Sequence, residues 1–314
     1  AELRAGQTLG PGDVCRLQQM GRNIVYVEQD VAPPQGWGHE DQAALEFARA
    51  MAGPGVEFEQ QPREGKVNFW AERDGLFLLA PQLLQAFNLQ PRVICASRQN
   101  KLVVEKGKIL AGARAIPLYL KQEELERALR ILGSGPLLQV LPLRRPRAGI
   151  LVTGTEVFTG LVQDKFIPVI KSKVEAFGGQ VVGTDIVPDQ AAAIERGVHK
   201  LLQAGADLLI TTAGLSVDPE DVTRQGLLQA GLEKECFGLP VLPGAMTLSG
   251  KIGSTQVLGV PACALFYKTT SLDLLLPQLL AGLEPAAQEL AAMGEGGLCL
   301  GCRACTFPKC PFGK

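Results

Sequence analysis

Acidic side chains follow the ends of apolar segments in the second half of the chain. Those that come after a predicted strand are Glu156, Asp164, Asp189 and Asp221. An Asp in such a place is favoured as a helix cap, which is the simplest interpretation of each one alone. Gathered on one sheet edge, these carboxylates would repel a bare phosphate. They suit a divalent cation such as Mg²⁺, which takes oxygen ligands.

A glycine-containing loop joins the third of these predicted strands to the next helix. Gly214 lets the backbone come close to a ligand, and the N-terminus of the helix favours an anion. The loop fits neither the P-loop nor the dinucleotide-binding fingerprint. With only two histidines in the chain, a Ser-His-Asp triad or a histidine-rich zinc site is not expected. These features predict a phosphorylated ligand that is handled together with Mg²⁺.

Four of the eight cysteines fall near the C-terminus, with the spacing C-x₂-C-x₂-C-x₄-C-P. They are Cys299, Cys302, Cys305 and Cys310. Bacterial ferredoxins use a run with one residue fewer before the last cysteine, whereas structural zinc sites pair two C-x₂-C knuckles across a longer gap. We expect the four sulfurs to meet at one metal centre. An iron–sulfur cube, zinc, and disulfides or idle thiols remain open, and Cys310 is the ligand that the ferredoxin analogy supports least.

Strands and helices alternate between residues 147 and 283. The predicted strands are 148–153, 180–186, 207–212 and 256–260, and the predicted helices are 167–177, 191–204, 221–230 and 262–280. Such alternation is typical of an α/β fold, here a three-layer α/β/α domain with a mainly parallel sheet. Ligands of these sheets bind at the carboxyl ends of the strands. The loops after Thr153, Ile186, Thr212 and Val260 are therefore where the site is expected.

The first part of the chain has shorter and less regular elements, which predict a mixed α+β region. The predicted elements are helices at 13–20, 39–51 and 122–132 and strands at 24–27, 92–96 and 101–104. The sequence thus divides into an N-terminal domain at 1–145, an α/β domain at 146–284 and a cysteine-rich tail at 285–314.

Composition excludes several classes of protein. A length of 314 residues with 46% hydrophobic residues allows about two domains with real cores. A net charge of −1 with 5% aromatic residues argues against a nucleic-acid partner. No apolar run reaches the length of a membrane span, and the first residues do not read as a signal peptide. We expect a cytoplasmic protein with no membrane partner.

Several motifs resemble those of the molybdenum cofactor biosynthesis domain of the MoeA, MogA and gephyrin type. Residues 211–223, TTAGLSVDPEDVT, resemble its signature loop. The other matches are VTGTEV at 152–157, IVPD at 186–189, LPG at 242–244 and GVP at 259–261. The resemblance covers residues 147–283, and a weaker one to the opening of MoeA-type proteins covers residues 6–27. The whole chain is similar to stand-alone molybdopterin-binding proteins that end in a cysteine motif.

This resemblance implies a role in biosynthesis or handling of the molybdenum or tungsten cofactor. The ligand would be molybdopterin or its adenylylated form, with a molybdoenzyme as a candidate client. Asp189 and Asp221 match the functional aspartates and are the candidate catalytic residues. The candidate cofactor-binding residues are Thr153, Gly154, Glu156, Asp164, Thr212, Gly214, Ser216, Thr223, Pro243, Gly244 and Pro261. The resemblance also implies a symmetric oligomer, with a homodimer expected first and a trimer second.

The chain departs from the MoeA-type pattern in ways that leave its activity open. The family's Gly-Gly is Ala213-Gly214, its Pro-Gly-Asn-Pro is replaced at 261–264, and no lysine occurs in the loop 242–246. Those lysines would attract an oxyanion such as molybdate, so a molybdenumtransferase-like activity is uncertain. The alternatives are a sensor or carrier of molybdopterin without chemistry, and a metal-dependent pyrophosphatase of the competence-damage type, which shares this fold.

Overall fold

The computed structural model describes residues 8–21, 35–212 and 222–314. The strand expected at 24–27 lies outside these residues, as do three candidate site residues, Gly214, Ser216 and Asp221. The first element is helix α1 (Pro11–Gln19), close to the helix predicted at 13–20. Among the described residues, no helix is long and apolar enough to cross a bilayer.

The N-terminal domain is mixed α+β, as its sequence predicts. Its elements are β1 (Trp37–His39), α2 (Glu40–Met51), β2 (Val56–Phe58), β3 (Lys66–Ala71), β4 (Gly75–Leu79), α3 (Pro81–Asn88), β5 (Val93–Ser97), β6 (Leu102–Val104), β7 (Ile109–Ala115), β8 (Tyr119–Lys121), α4 (Gln122–Leu132) and β9 (Leu138–Leu141). The strands form antiparallel sheets in the orders β2-β3-β7-β5 and β6-β4-β9, and β1 pairs with β8. Helix α2 packs on the N-terminal core through a buried stripe of Ala43, Phe47 and Met51, because apolar residues at helical spacing lie on one face of the helix.

The second domain alternates strands and helices from residue 147 onward. Its elements are β10 (Arg147–Thr153), α5 (Thr155–Phe158), α6 (Phe166–Ala176), β11 (Gln180–Val187), α7 (Ala191–Gln203), β12 (Leu208–Thr212), α8 (Thr223–Gln229), β13 (Leu232–Phe237), β14 (Leu248–Ile252), β15 (Thr255–Val260), a 3₁₀ turn (Ala262–Leu265) and α9 (Ser271–Leu280). Helix α10 (Ala287–Ala292) opens the tail.

One sheet organises this domain, with strand order β11-β10-β12-β15-β14-β13. The first four strands in that order are parallel to one another, and β14 and β13 run antiparallel at the edge. Thr153 lies opposite Val187, and Thr212 lies opposite both Val152 and Val260. The parallel strands therefore end level with one another, at a single edge of the sheet.

Helices cover both faces of the sheet, which gives the predicted three layers. Ile150 and Ile210 point to the face that α6 and α9 cover, while Leu151 and Leu209 point to the face that α7 and α8 cover. Because neighbouring residues of a strand face opposite ways, a strand that is apolar throughout must be buried on both sides. The sequence-based expectation of a mainly parallel α/β/α domain is confirmed.

The continuous helix predicted at 262–280 is wrong. The 3₁₀ turn at Ala262–Leu265 is followed by non-helical residues, and α9 begins only at Ser271. Thr270 is extended and starts the new helix, because its hydroxyl accepts from the amide of Leu272 at 3.3 Å while the Asp273 carboxylate accepts from the amide of Thr270 at 2.8 Å. This capping box overrides the apolar periodicity.

Arg144 connects the sheet to the chain that leads into it. Its Nη1 lies 2.5 Å from Oδ1 of Asp207, and its Nη2 donates to the carbonyl oxygen of Asp207 at 3.3 Å. Oδ1 of Asp207 also accepts from the amide of Arg147 at 3.0 Å. The amide of Arg144 donates to the carbonyl of Leu280 at 2.9 Å. These bonds fix where β10 enters the sheet beside β12 and the end of α9.

We predict that Gly226→Ala destabilises the α/β domain. Gly226 lies where α8 crosses α7, and a Cβ there would sit 2.6 Å from Cβ of Ile194 and 2.9 Å from the carbonyl oxygen of Ala191. Relief requires the helices to move apart, at a cost of about 1–3 kcal/mol. Urea unfolding followed by circular dichroism measures the change. Gly12→Ala is the control, because nothing lies within 4 Å of its Cβ position; equal midpoints for the two variants would contradict the prediction.

Candidate functional site

A reciprocal hydrogen-bond pair joins the first two strand-end loops. Oδ2 of Asp189, after β11, accepts from the amide of Thr155 at 2.8 Å and from its hydroxyl at 3.1 Å. The hydroxyl oxygen of Thr155 in turn accepts from the amide of Asp189 at 3.2 Å. Among the described residues, Oδ1 of Asp189 has no hydrogen-bond partner. The candidate catalytic carboxylate is thus oriented through one of its oxygens.

Three threonines join the ends of β10 and β12 to the start of α8. The buried hydroxyl of Thr153 lies 2.9 Å from that of Thr223 and donates to the carbonyl oxygen of Thr212 at 3.2 Å. Thr223 is the first residue of α8, so this contact fixes the helix that follows the third strand-end loop. Three of the candidate cofactor-binding residues are therefore brought together.

Two hydroxyls at the end of β12 are buried and find no partner in the described part of the chain. Among the described residues, Oγ1 of Thr211 and Oγ1 of Thr212 have no hydrogen-bond partner, and both residues are fully buried. An unpaired buried hydroxyl costs about 1–3 kcal/mol, and such a group in a native structure calls for a specific explanation. Both hydroxyls lie at the strand end where the fold would place a ligand.

The first strand-end loop turns at Gly154, where φ is +147°. Only glycine adopts this backbone conformation at little cost. Beyond the turn, Glu156 is exposed, and Asp164 accepts from the amides of Phe166 at 3.0 Å and Ile167 at 3.1 Å. The capping interpretation of Asp164 is therefore confirmed at α6. No hydrogen bond between described residues joins Glu156 or Asp164 to Asp189.

The loop of Pro243 and Gly244 reaches the same edge, because β14 begins opposite the end of β15. It is held on the N-terminus of α9, where the amide of Ser271 donates to the carbonyl oxygen of Pro243 at 3.2 Å. Gly244 has φ +122°, and a Cβ there would lie 2.0 Å from Oγ of Ser271. Oγ1 of Thr247 is 2.5 Å from the same Ser271 hydroxyl. The two candidate residues are packed against α9, and Pro261 lies on the neighbouring strand end.

All eight cysteines of the chain are free thiols. The four of the tail line one cavity of about 400 Å³, together with residues 266–269 and the aromatic ring of Phe312. Among the described residues, no three His, Cys, Asp or Glu side chains are grouped so that they hold one metal ion. Oγ1 of Thr269 lies 3.3 Å from Sγ of Cys305, and this hydrogen bond lowers the pKa of the Cys305 thiol.

Comparison with known proteins concerns mainly the second domain. Residues 149–281 match the family model described as a probable molybdopterin binding domain. CinA-like proteins of Mycobacterium sp. (strain JLS) and of Mycobacterium tuberculosis are 42% and 39% identical over 77 residues, which is 24% of this chain. That stretch is only 18% of the length of these relatives. Residues 149–281 are therefore similar in sequence to this family of domains.

Two solved structures are similar to parts of this chain at low sequence identity. The molybdopterin biosynthesis enzyme MoaB from Thermus thermophilus is 24% identical, with a TM-score of 0.37, over 44% of this chain and 98% of its own. The molybdopterin biosynthesis MoeA protein from Pyrococcus horikosii is 15% identical, with a TM-score of 0.37, over 77% of this chain and 78% of its own.

Sequence reasoning missed the residues that position the candidate ones. Thr155 orients Asp189, and Ser271 with Thr247 supports Gly244, yet none of the three was singled out. A signal existed for Thr155, because it directly follows the glycine of the first strand-end loop. Ser271 lies far from Gly244 in sequence, and only the fold brings them together.

We predict that an ion pair between α8 and β13 makes a pH-dependent contribution to the stability of the fold. Arg224, next to Thr223, donates through Nε to Oε2 of Glu235 at 3.0 Å, and this bond lowers the pKa of the Glu235 carboxyl below its ordinary 4.5. A carboxyl whose pKa is lowered by folding stabilises the folded state at pH values above its unfolded pKa. This stabilisation is lost as the pH falls through the pKa of the folded state. Glu235→Gln should cost at most about 1 kcal/mol at neutral pH, since the pair is partly exposed.

The measurement is the free energy of unfolding of wild type and Glu235→Gln from neutral pH to below pH 4.5. The difference between them should vanish at the acidic end. Glu233→Gln, on the same strand but without an ion pair among the described residues, is the control and should show no such pH dependence.

Proposed function

We propose that the second domain binds molybdopterin or its adenylylated form at the strand-end edge of the sheet. The protein would act in biosynthesis or handling of the molybdenum or tungsten cofactor. The observation that carries the proposal is the match of residues 149–281 to a molybdopterin-binding domain. The matched stretch contains all four ends of the parallel strands, so the family match and the expected place of a ligand coincide.

The chemistry of this edge suits a phosphorylated, polar ligand. The hydroxyls of Thr211 and Thr212, which have no partner among residues 35–212 and 222–314, and the Thr153–Thr223 pair supply hydrogen-bonding groups at the end of β12. A ligand with several oxygen and nitrogen atoms can satisfy such groups where the protein does not. Gly214, Ser216 and Asp221 belong to the loop that follows directly, and we propose that this loop contributes to the same site.

We further propose that Asp189 and Asp221 bind Mg²⁺ and thereby hold the ligand's phosphate. Asp189 is oriented by Thr155 through Oδ2, and Oδ1 faces no hydrogen-bond donor among the described residues. Mg²⁺ bound by one or two carboxylates commonly completes its shell with water and phosphate oxygens. Glu156 is exposed, and Asp164 acts foremost as the cap of α6.

Binding without insertion of the metal is the form of the proposal that the residues favour. The loop 242–246 has no lysine to attract molybdate, and its Gly244 is packed on Ser271. A carrier or sensor needs only the pterin site, whereas an insertase needs an oxyanion site as well. We propose a homodimer, with a trimer as the alternative, in the cytoplasm, with a molybdoenzyme as client.

A second candidate function is a metal-dependent pyrophosphatase of the competence-damage type. It is favoured by the identity of 42% over 77 residues to a mycobacterial CinA-like protein. Hydrolysis of ADP-ribose in the presence of Mg²⁺ distinguishes it from binding. Two results together would support this second candidate and contradict the first: the protein hydrolyses ADP-ribose and loses this activity in Asp189→Asn, and the purified wild-type protein contains no pterin.

We predict that Asp189→Asn lowers the pterin content of the purified protein by at least about tenfold, because a neutral amide no longer binds Mg²⁺ well. The bound pterin is released by acid, oxidised to a fluorescent product and quantified per chain. The matched control is Asp185→Asn, on the strand that Asp189 follows, whose carboxylate Oδ1 is 2.9 Å from Nζ of Lys200 on α7. If both variants keep their pterin, Asp189 only orients Thr155.

The four tail cysteines complete the proposal as ligands of a metal centre. On the sequence alone, an iron–sulfur cluster and zinc are both open.

A further inference from the structure

A cavity of about 570 Å³ lies where the N-terminal domain, the second domain and the tail meet. Its first wall is β6 with the residues next to it, its second is the C-terminal end of α6 with the first two turns of α9, and its third is residues 307–309 and Gly313 of the tail. None of the described candidate cofactor-binding residues lines this junction cavity. It is therefore separate from the strand-end edge, and small-molecule sites occur preferentially at such junctions between domains.

Hydrogen bonds and close packing hold the three walls together. Nζ of Lys173 on α6 donates to Oδ1 of Asp273 on α9 at 2.5 Å. The side-chain amide of Gln99, in the turn before β6, donates to the carbonyl oxygen of Gly313 in the tail. Gly313 also lies directly on α9, because a Cβ there would sit 2.5 Å from Cδ2 of Leu274. The junction cavity is therefore preformed, as small-molecule sites commonly are.

The interior of the junction cavity is lined by apolar side chains. Val104 of β6 and Leu276 of α9 are 3% and 1% exposed, and Pro277 of α9 is buried as well. Val103, in contrast, is 42% exposed although it lines the same cavity. Covering apolar surface is favourable in proportion to the area removed from water. A ligand with an apolar body would therefore gain free energy by covering this side chain.

The charged residues that line the junction cavity are mostly cations. They are Arg98, Lys101, Lys108, Lys173 and Lys309, against Glu105 and Asp273. The two acids are already paired, Asp273 with Lys173 at 2.5 Å and Glu105 with Lys108 at 3.5 Å. Because the whole chain has a net charge of −1, the cavity carries a local excess of positive charge, which attracts anions.

Two of these cations have no acidic partner among the described residues. Lys101 reaches Glu289 at 3.8 Å, but Arg98 and Lys309 lack such a pair there, and both are exposed at the mouth of the cavity. A bare metal ion or an inorganic anion would leave the apolar interior uncovered. A neutral apolar compound would leave these two cations unpaired. The lining therefore favours a molecule that combines an apolar body with an acidic group.

We propose that the junction cavity binds an amphipathic organic anion, a small molecule with an apolar body and one acidic group. The body would cover Val103 and lie against Leu276 and Pro277, and the acidic group would pair with Arg98 or Lys309 at the mouth. Because both domains and the tail would contact such a molecule, its binding would also hold these three parts in one arrangement. This site is independent of the proposed pterin site.

Two fluorescent probes with the same apolar body test this site. 8-Anilinonaphthalene-1-sulfonate is an amphipathic anion, and N-phenyl-1-naphthylamine lacks only its sulfonate. Each probe is titrated into the full chain at low and at high salt. We expect saturable binding of both, and only the binding of the anionic probe should weaken as added salt screens the cations. The absence of saturable binding of the anionic probe, or the same salt dependence for both probes, would overturn the proposal.

Two competitors distinguish the sources from which such a ligand could come. Laurate carries its carboxylate on an acyl chain, and 1-naphthoate carries it on a flat ring. Each is titrated against the bound anionic probe. Displacement by either supports the site and identifies the kind of apolar body that it accepts, whereas displacement by neither overturns it.

We predict that Arg98→Glu weakens binding of the anionic probe at least about fivefold, because it replaces an exposed ion pair with a repulsion. Binding of the neutral probe should be unchanged, and Lys309→Glu should behave in the same way. Arg127→Glu is the matched control, at an exposed cation of α4 that does not line the cavity. If neither Arg98→Glu nor Lys309→Glu weakens the anionic probe more than this control does, the site is overturned.

We also predict that Ala176→Trp weakens binding of both probes at least about tenfold, because the indole takes the place of part of the apolar body. Ala176 is exposed and lines the cavity at the end of α6, so the larger side chain displaces no core residue. Ala192→Trp is the control, at an exposed alanine of α7 on the other face of the sheet. An unchanged circular dichroism spectrum verifies the fold of both variants. Equal binding by the two would place the probes elsewhere and overturn the proposal.

Discussion

Burial of the central strands on both faces is the constraint on which this architecture depends. β10 and β12 lie next to each other in the middle of the sheet and are almost entirely apolar up to their last residues, Thr153 and Thr212. Polar side chains therefore cannot occur along these strands without unpaired burial, and they are displaced to the strand ends. The level register of the four parallel strands then gathers those ends at one edge, where a small set of hydroxyls and carboxylates can act together.

The N-terminus of α9 is a second point on which distant parts of the chain converge. Ser271 supports Gly244 from one side, and Thr269, two residues earlier, contacts Cys305 of the tail from the other. The capping box of Thr270 and Asp273 keeps this short stretch extended before the helix begins. A continuous helix through these residues would remove both contacts, so the break in the helix is what allows the strand-end loop and the tail to share one support.

Periodicity in the sequence predicts the parts of this protein that are governed by local patterns. Helix α7 is predicted within one residue of its observed end, since its buried stripe recurs at helical spacing and a glycine follows it. The break before α9 could not be predicted from periodicity, because a Thr-x-x-Asp cap competes there with a long apolar pattern. Strands β13 and β14 were missed because they lie at the antiparallel edge, where charged residues such as Glu233 and Lys234 interrupt the alternation expected of a strand.

The candidate site shows the same division between local and long-range information. Asp189 can be found from the sequence because it follows a strand, but its orientation depends on Thr155, which reaches it only because β10 and β11 are paired in the sheet. The tail differs, since its cysteines are close in sequence and their spacing already indicates a shared ligand. The spacing does not indicate the size of the bound group, because the same four residues suit one ion or a cluster.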